Sequence, residues 1–389
     1  MSVRTIAVVT TSRADYGIYL PVLRGISAEP RLSLRLLVSG THLSERFGLT
    51  IREIEADGFV PAECIPLPLE SDAPAAVASA MAASTDGFAR AFDRSRPDVL
   101  LVLGDRFEMH AAAVAAVPFR IPVAHIHGGE QTMGAIDDVL RHSMTKLSHL
   151  HFPATAEYAR RIQQMGEEPW RVHIAGAPAL DNLATFRTVS AAELHERFGV
   201  DVSRDTLIVT YHPATQDSQS PEAQAEELVA ALEASGRPVV VTMPNADPGG
   251  LIVRSCLAAF AERYSQARIV ESLGTDAYFT LLAHAGAMVG NSSSGIIEAP
   301  SFELPVVNIG PRQDGRTRGA NVIDVPCNRA AIGAAIARAS DAGFRASLRG
   351  APNPYGDGGA AGRIVARLRD VELSPRLLVK HFIDLPVDL

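Results

Sequence analysis

The sequence has few cysteines and no apolar run long enough to cross a membrane. Its three cysteines, Cys64, Cys256 and Cys327, are far apart and show no paired spacing. That distribution disfavours a disulfide framework or a zinc site and indicates a reducing compartment. The longest alanine-rich run, residues 111–117, falls far short of the ~20 residues of a spanning helix. The apolar run at residues 6–9 is too short for the core of a signal peptide. We therefore expect a cytoplasmic protein without a membrane segment.

Basic charge is not in excess either. The net charge of −8 over 389 residues disfavours binding to nucleic acid or to anionic membranes, because both need a basic surface. Neither half carries the dinucleotide fingerprint G-x-G-x-x-G after its first strand or a Walker A loop, which disfavours NAD and ATP. Hydrophobic residues make up 47% of the chain, an ordinary globular composition, and the length suits two domains.

Short apolar runs alternate with helical patterns along the whole chain. The strands are predicted at residues 5–10, 34–39, 98–103, 121–126, 172–175, 206–210, 239–243, 268–271, 287–289 and 306–309. Helices are predicted at residues 18–26, 44–56, 74–94, 137–150, 221–234, 276–285 and 329–340. Such alternation predicts parallel sheets with helices on both faces.

A polar join between residues 176 and 204, in which Ser190 is a candidate helix cap, separates the two halves. We expect an α/β fold of two doubly wound Rossmann-like domains that face each other across a cleft. The predicted boundaries are residues 1–180 for the N-terminal domain, 181–370 for the C-terminal domain and 371–389 for a C-terminal tail.

Charged residues follow two strands of the predicted first sheet. Gly104-Asp105-Arg106 ends one strand, and His127-Gly128-Gly129-Glu130 follows the next. Ligands of open parallel sheets bind beyond the carboxyl ends of the strands. Carboxylates and imidazoles there indicate proton transfer, and an arginine indicates an anionic group. We expect one cleft to be lined by Asp105, Arg106, His125, His127, Glu130, Asp137 and Asp138, with His212 from the second domain. Each could instead be a helix cap or a structural hydrogen-bonding group.

Two segments resemble phosphate sites, because each places small polar residues at the N-terminus of a helix. The first is TSRADYG, with Arg13 and Asp15, where Asp15 could instead only cap the helix. The second is GNSSSG, with Ser292 and Ser293, where serine could likewise serve only as a cap. Beyond it, Glu298 is placed to accept ribose hydroxyls, and Arg312 follows a further strand.

Seven blocks occur in one order: TSRADYG, LGDRFE, HIHGGE, RHSMTK, YHPAT, GNSSSGIIE and NIGPR. Together they resemble the hydrolysing UDP-N-acetylglucosamine 2-epimerases, which supply sugars for sialic-acid-type nonulosonates. The resemblance covers roughly residues 3–370. It implies a GT-B arrangement, with the acid–base residues in the first domain and the nucleotide on the second. It further implies that Arg13 contacts the diphosphate, that Leu273 and Tyr278 lie beside the uracil, and that the protein forms a homodimer or homotetramer.

The reaction implied is conversion of UDP-N-acetylglucosamine to UDP and N-acetylmannosamine, by elimination to a glycal and hydration. Many hydrolysing members have Glu at the third position of HIHGGE, where this chain has His127. That variant resembles epimerases acting on UDP- or GDP-linked 2,4-diacetamido-2,4,6-trideoxyhexoses, which is the alternative. Further alternatives are a non-hydrolysing 2-epimerase, a GT-B glycosyltransferase and a non-catalytic sugar-nucleotide sensor. His125 and His127 with Asp105 allow a metal site, but the chemistry needs none, and we expect no metal and no cofactor.

Overall fold

The computed structural model describes residues 3–71, 73–133, 136–213, 219–243, 250–271, 273–384 and 386. The chain divides into two units. Unit 1 comprises Met1–Glu130, Ile136–Asp181 and Gly358–Leu389, and unit 2 comprises Gln131–Ala135 and Asn182–Asp357. One part of the motifs named above, residues 214–215 at the end of YHPAT, lies outside the described residues.

Unit 1 is built on a six-stranded parallel sheet with the strand order β3-β2-β1-β4-β5-β6. The strands are β1 (Arg4–Thr10), β2 (Leu32–Ser39), β3 (Glu63–Ile65), β4 (Val99–Leu103), β5 (Val123–Ile126) and β6 (Leu150–Phe152). The helices are α1 (Arg13–Ala28), α2 (Ile51–Ala56), α3 (Pro74–Arg94), α4 (Phe107–Ala116), α5 (Asp137–Leu147) and α6 (Ala156–Gln164). All five residues of β4 are buried, as expected for a parallel strand covered on both faces.

Unit 2 repeats the same order as β12-β11-β10-β7-β8-β9. Its strands are β7 (Leu207–Thr210), β8 (Val239–Thr242), β9 (Ala267–Val270), β10 (Ala287–Gly290), β11 (Val306–Ile309) and β12 (Val322–Val325). Its helices are α7 (Ala191–Phe198), α8 (Pro221–Ser235), α9 (Gly250–Arg263), α10 (Gly274–His284), α11 (Ser293–Ile297), α12 (Arg329–Ala339) and α13 (Ala342–Ser347). Successive side chains pack on opposite faces: Val209 and Val289 join one apolar cluster, and Ile208 and Met288 join the other.

The predicted pair of doubly wound domains is confirmed, because each sheet is parallel and reverses its strand order beside its first strand. In such sheets the ligand site lies beyond the carboxyl ends of the strands at that reversal. In unit 1 the reversal falls between β1 and β4, and in unit 2 between β7 and β10. We call these two places the unit 1 edge and the unit 2 edge.

The end of the chain returns to unit 1. Helix α14 (Ala360–Asp370) begins where the Asp181 carboxylate accepts hydrogen bonds from the backbone N–H groups of Ala360 and Ala361, at 2.9 and 2.6 Å. A last short helix, α15 (Pro375–Leu378), follows, and the buried Arg171 guanidinium donates to the Leu377 carbonyl. The predicted second domain extended to residue 370, whereas the structure groups the chain from Gly358 onward with unit 1.

Several predicted elements differ from the observed ones. The predicted strand at residues 172–175 is wrong, since only Val172 forms an isolated bridge, to His151. The predicted helix at 137–150 ends at Leu147, because residues 150–152 form the edge strand β6. The predicted helix at 44–56 is reduced to Ile51–Ala56, because Gly48 adopts a left-handed conformation (φ 87°) and interrupts it.

The sequence did not predict three strands of the two sheets, β3, β6 and β12. The start of α3 at Pro74 is confirmed, and so is Ser190 as the cap of α7, where it accepts from the Glu193 N–H. Among the described residues, no helix combines the length and the apolar character needed to cross a membrane.

Candidate active site

The turn between β1 and α1 is closed by a reciprocal cap. The buried Asp15 carboxylate accepts from the Thr11 hydroxyl at 2.7 Å and from the Ser12 backbone N–H at 2.9 Å, while the Ser12 hydroxyl accepts from the Asp15 N–H. Asp15 therefore shapes the turn by capping α1, and the binding role of its carboxylate stays a prediction. Arg13, the first residue of α1, is exposed at the unit 1 edge.

Asp105 lies directly beyond β4 and is paired with Arg141, a residue absent from the predicted site. The Arg141 guanidinium donates to Asp105 Oδ2, and the two side chains are 2% and 22% exposed. Asp137 opens α5 one turn before Arg141, so this spacing places both on one face of the helix. A fully buried arginine needs an anionic partner, and Asp105 is a partner of Arg141 here.

Arg106 is held by a second missed residue, Glu108. The Arg106 Nε and Nη2 atoms donate to the two oxygens of Glu108 at 3.3 and 3.1 Å, and Glu108 is fully buried in the first turn of α4. Gly40 packs here with φ of 60°, and a Cβ on it would lie 2.5 Å from the Thr11 carbonyl oxygen. The backbone at Gly40 and the backbone at Thr11 therefore lie close together at the unit 1 edge. The Arg106 side chain is 28% exposed there.

His125 is an interior residue. Its Nε2 atom is 2.8 Å from the Gly104 carbonyl oxygen, and complete burial lowers the pKa of the imidazole to about 3. The ring is therefore neutral at physiological pH, and its Nε2–H is donated to the backbone. This geometry removes His125 from the predicted cleft lining. In the part of the chain that the structure describes, no three His, Cys, Asp or Glu side chains are arranged to hold a metal ion.

His127 and Glu130 form a close pair in the turn after β5. The His127 Nδ1 atom lies 2.5 Å from Glu130 Oε1, and both side chains are buried. Asp138 lies 3.5 Å from His142 on α5. The unit 1 edge thus carries an ion pair between Asp105 and Arg141 and a close histidine–carboxylate pair between His127 and Glu130.

The unit 2 edge is built from hydroxyls and amides. Ser292 caps α11 by accepting from the Ser294 N–H at 3.3 Å, and half-buried Ser293 is the first residue of that helix. The Tyr278 hydroxyl donates to Ser294 Oγ at 2.7 Å, and burial raises the pKa of that hydroxyl above its usual range. Leu273 packs inside an apolar cluster, and its place beside the uracil stays a prediction.

Asn291 joins three strand ends at this edge and was absent from the predicted site. Its amide accepts from the His212 N–H at 2.7 Å and donates to the His212 carbonyl at 2.8 Å. Its backbone carbonyl accepts from Arg312 Nη1 at 3.1 Å and from Gln313 Nε2 at 2.8 Å. His212, Asn291 and Arg312 are therefore neighbours, and the Asn of GNSSSG is the residue that connects them.

Close approach of β7 and β10 makes glycine necessary beside Asn291. A Cβ on Gly290, whose φ is 140°, would lie 2.0 Å from the Thr210 carbonyl oxygen. Glu298 is half-buried at the end of α11, and its N–H donates to the Ser294 carbonyl. The predicted residues Ser292, Ser293, Glu298, Arg312 and His212 thus all belong to unit 2.

Comparisons with known proteins agree on one family. The sequence model of the family described as UDP-N-acetylglucosamine 2-epimerase matches residues 24–369. A Legionella pneumophila UDP-N,N'-diacetylbacillosamine 2-epimerase (hydrolyzing) is 36% identical over 97% of this chain and 99% of its own. A Campylobacter jejuni GDP/UDP-N,N'-diacetylbacillosamine 2-epimerase (hydrolyzing) is 36% identical over 84% of this chain and 86% of its own.

A solved structure shares the fold. The UDP-GlcNAc 2-epimerase from Neisseria meningitidis, bound to UDP-GlcNAc, superposes with a TM-score of 0.78 over 94% of this chain and 99% of that one, at 16% identity. At that identity the likeness concerns the fold alone.

Proposed function

Because the chain belongs to the UDP-N-acetylglucosamine 2-epimerase family, we propose that it is a hydrolysing 2-epimerase of a UDP-linked 2,4-diacetamido-2,4,6-trideoxyhexose, N,N'-diacetylbacillosamine. The observation that carries the substrate is the 36% identity, over nearly the full length of both chains, to a relative named for that sugar. His127 at the third position of HIHGGE supports the same choice. UDP-N-acetylglucosamine, the first expectation from the sequence, is supported at the level of the family.

The proposed reaction breaks the bond between C1 and the diphosphate oxygen. A base takes the C2 proton, the C–H electron pair forms a C1–C2 double bond, and UDP leaves with the electron pair of the C1–O bond. Water then adds its oxygen to C1, and C2 receives a proton on the opposite face. The products are UDP and the free 2-epimeric sugar.

The residues of unit 1 suit the proton transfers. Asp105, His127, Glu130 and Asp137 are the groups that we assign to them, since positioned carboxylates and imidazoles exchange protons with carbon acids or leaving groups. Arg141 keeps the Asp105 carboxylate oriented through a buried contact. Arg106, fixed by Glu108 and partly exposed, is assigned to an anionic group of the substrate.

The residues of unit 2 suit the nucleotide. Hydroxyl and N–H groups at Ser292 and Ser293 are assigned to the diphosphate, together with Arg312, whose guanidinium is positioned by the Asn291 carbonyl. Glu298 is assigned to the ribose hydroxyls, and Arg13 of unit 1 also to the diphosphate. His212 is assigned to the reacting sugar, because the Asn291 amide fixes its backbone.

Isotope labelling with two substrates tests the proposal. The protein is incubated with UDP-N,N'-diacetylbacillosamine and, separately, with UDP-N-acetylglucosamine, with the GDP-linked sugar as a third arm, and the products are identified by NMR. In deuterium oxide we expect one deuterium at C2 of the free sugar. In water enriched in oxygen-18 we expect the label in the sugar and none in UDP.

Three results would contradict parts of the proposal. A higher kcat/KM with UDP-N-acetylglucosamine would overturn the substrate, and return of UDP to the sugar would indicate a non-hydrolysing 2-epimerase. A product without deuterium at C2, or label in UDP, would overturn the elimination mechanism.

A further inference from the structure

We infer that His127 and Glu130 act as one proton-transfer unit, in which His127 is the base that meets the substrate and Glu130 positions it. This inference rests on the proposed function for the reaction. The division of roles rests on the geometry of the turn that follows β5.

The contact between the two side chains determines which nitrogen carries the hydrogen. His127 Nδ1 lies 2.5 Å from Glu130 Oε1, and the side chains are 7% and 2% exposed. An ionised carboxylate only accepts hydrogen bonds, so Nδ1 must donate and Nε2 must hold the lone pair. Glu130 therefore selects the tautomer in which Nε2 is the basic atom.

The backbone conformation of His127 indicates that this arrangement is maintained at a cost. Its φ is 60°, in the left-handed region that residues with a Cβ seldom adopt. Such a conformation is strained and persists only where surrounding structure enforces it, most often at functional sites.

Neighbouring elements enforce the turn from two sides. The His127 N–H donates to the Phe152 carbonyl of β6 at 3.2 Å, and the Arg161 guanidinium of α6 donates to the Gly129 carbonyl. Gly129, with φ of 76°, lies so close to α6 that a Cβ would come within 2.4 Å of the Tyr158 carbonyl oxygen. The turn is thereby fixed, and the imidazole is fixed with it.

The environment of the other ring nitrogen, Nε2, suits contact with the substrate. His127 Nε2 is enclosed and has no hydrogen-bond partner among the described residues. A buried polar atom in that state is unfavourable, because it has lost its hydrogen bonds to water without gaining others. Acid and base groups commonly reach their productive contacts only when the substrate binds, and we assign to Nε2 the hydrogen on C2 of the sugar.

The step balances in protons and electrons. Nε2 takes the C2 proton, the C–H electron pair forms the C1–C2 double bond, and the C1–O electron pair departs with UDP. The imidazolium that results faces the Glu130 carboxylate across the same 2.5 Å contact. As in other histidine–carboxylate pairs, the carboxylate stabilises the cation and does not take the proton itself.

A double-mutant cycle tests whether the two residues form one unit. The variants are His127→Asn, Glu130→Gln and the double variant, with UDP-N,N'-diacetylbacillosamine as substrate; Asn is chosen because it tolerates the left-handed conformation. We expect each single variant to lower kcat about 10²-fold with little change in KM. The double variant should lose no more than the worse single variant, as residues of one unit do. Losses that multiply to about 10⁴-fold would overturn the inference.

The pH profile of kcat/KM separates base from positioning residue. The acidic limb should persist in Glu130→Gln, because that variant retains the base, and it should disappear in His127→Asn. If that limb disappears in Glu130→Gln and persists in His127→Asn, Glu130 is the base and the inference is overturned. Glu196→Gln, which alters an exposed carboxylate on α7, is the matched control and should keep wild-type kinetics.

Thermal unfolding and UDP titration establish that each variant is folded. If the wild-type protein converts neither UDP-N,N'-diacetylbacillosamine nor UDP-N-acetylglucosamine, the proposed function itself is overturned. If the wild-type enzyme is active but the losses of kcat in the two single variants multiply in the double variant, only the inference about His127 and Glu130 is overturned.

Discussion

The unit 1 edge and the unit 2 edge arise from sheets with the same strand order, yet they carry different chemistry. At the unit 1 edge, charged groups face one another: Asp105 meets Arg141, and Arg106 meets Glu108. At the unit 2 edge, the side chains of Asn291 and Tyr278 make amide and hydroxyl hydrogen bonds, and the Arg312 guanidinium donates to a backbone carbonyl. One topology therefore supports two kinds of site, and the residues after each strand decide which kind.

We propose that the difference follows from what each edge binds. Paired charges in a buried setting fix the orientation of the carboxylates, which suits groups that exchange protons. Neutral hydrogen bonds among side chains and backbone fix the shape of a turn without adding charge, which leaves N–H groups and arginines for an anion. The comparison thus predicts that variants of the carboxylates at the unit 1 edge affect turnover, and that variants of the serines and Arg312 at the unit 2 edge affect nucleotide affinity.

The largest expected effect comes from removing the charge of Asp105. Asp105→Asn should lower kcat by about 10²–10⁴-fold, because the amide neither exchanges a proton nor balances the buried Arg141 guanidinium. Affinity for UDP should be unchanged, since Asp105 is not among the groups assigned to the nucleotide. Steady-state kinetics with UDP-N,N'-diacetylbacillosamine and calorimetric titration with UDP measure the two quantities.

Asp98 provides the matched control for this experiment. It lies at the opposite end of β4, exposed, and accepts from the Thr5 N–H at 2.8 Å. Asp98→Asn should keep wild-type kcat. Equal losses in the two variants, or weaker UDP binding in Asp105→Asn, would remove the contrast between the edges.

Acid should destabilise unit 1 before unit 2. Among the described residues, the histidines whose pKa burial lowers lie in unit 1; the pKa of His125 is about 3, and those of His149 and His173 are about 4. The ordinary value is about 6.5. Between pH 6.5 and pH 3, His125 is protonated in the unfolded chain but not in the folded protein. The contribution of this group to the free energy of unfolding is therefore fully present above pH 6.5 and decreases as the pH falls. The slope approaches about 1.4 kcal/mol per pH unit for one group.

Amide hydrogen exchange at pH 7 and pH 5 measures this difference unit by unit. After correction for intrinsic exchange rates, protection in β4 and β5 should fall more than protection in β7 and β10. His125→Gln should reduce that fall, because it removes the proton-binding difference. A larger loss of protection in unit 2 at pH 5 would contradict the prediction.

The sequence predicted the residues at both edges better than it predicted their partners. Strand–helix alternation and the glycine after each buried strand indicate where an edge lies, so Asp105, Arg106 and Ser293 were assigned to edges directly. Arg141 and Asn291 were missed, since a partner brought in from another element leaves no local pattern. Asp15 was given a binding role because a capping carboxylate and a ligand-binding one occupy the same position in a sequence.

In the fold, too, elements with a local sequence pattern were predicted better than elements that depend on distant contacts. The central strand β4 is a continuous apolar run, and its position was predicted to within a residue. The edge strands β3 and β6 are three residues long, and their pairing comes from neighbours in the sheet. The return of α14 to unit 1 depends on Asp181, some 180 residues earlier, and no periodicity in the sequence records such a contact.

The smallest expected effects separate two adjacent serines at the unit 2 edge. Ser292 caps α11, and removal of such a cap costs ~1 kcal/mol, so Ser292→Ala should lower the unfolding temperature. Ser293 is assigned to the diphosphate, and one hydrogen bond to a charged group is worth ~1.5–3 kcal/mol. Ser293→Ala should therefore weaken UDP binding about tenfold or more and leave the unfolding temperature unchanged. Calorimetric titration and thermal unfolding of both variants form the test. If Ser293→Ala binds UDP as the wild type does, the diphosphate lies elsewhere at this edge, and the assignment of nucleotide binding to the turn after β10 fails.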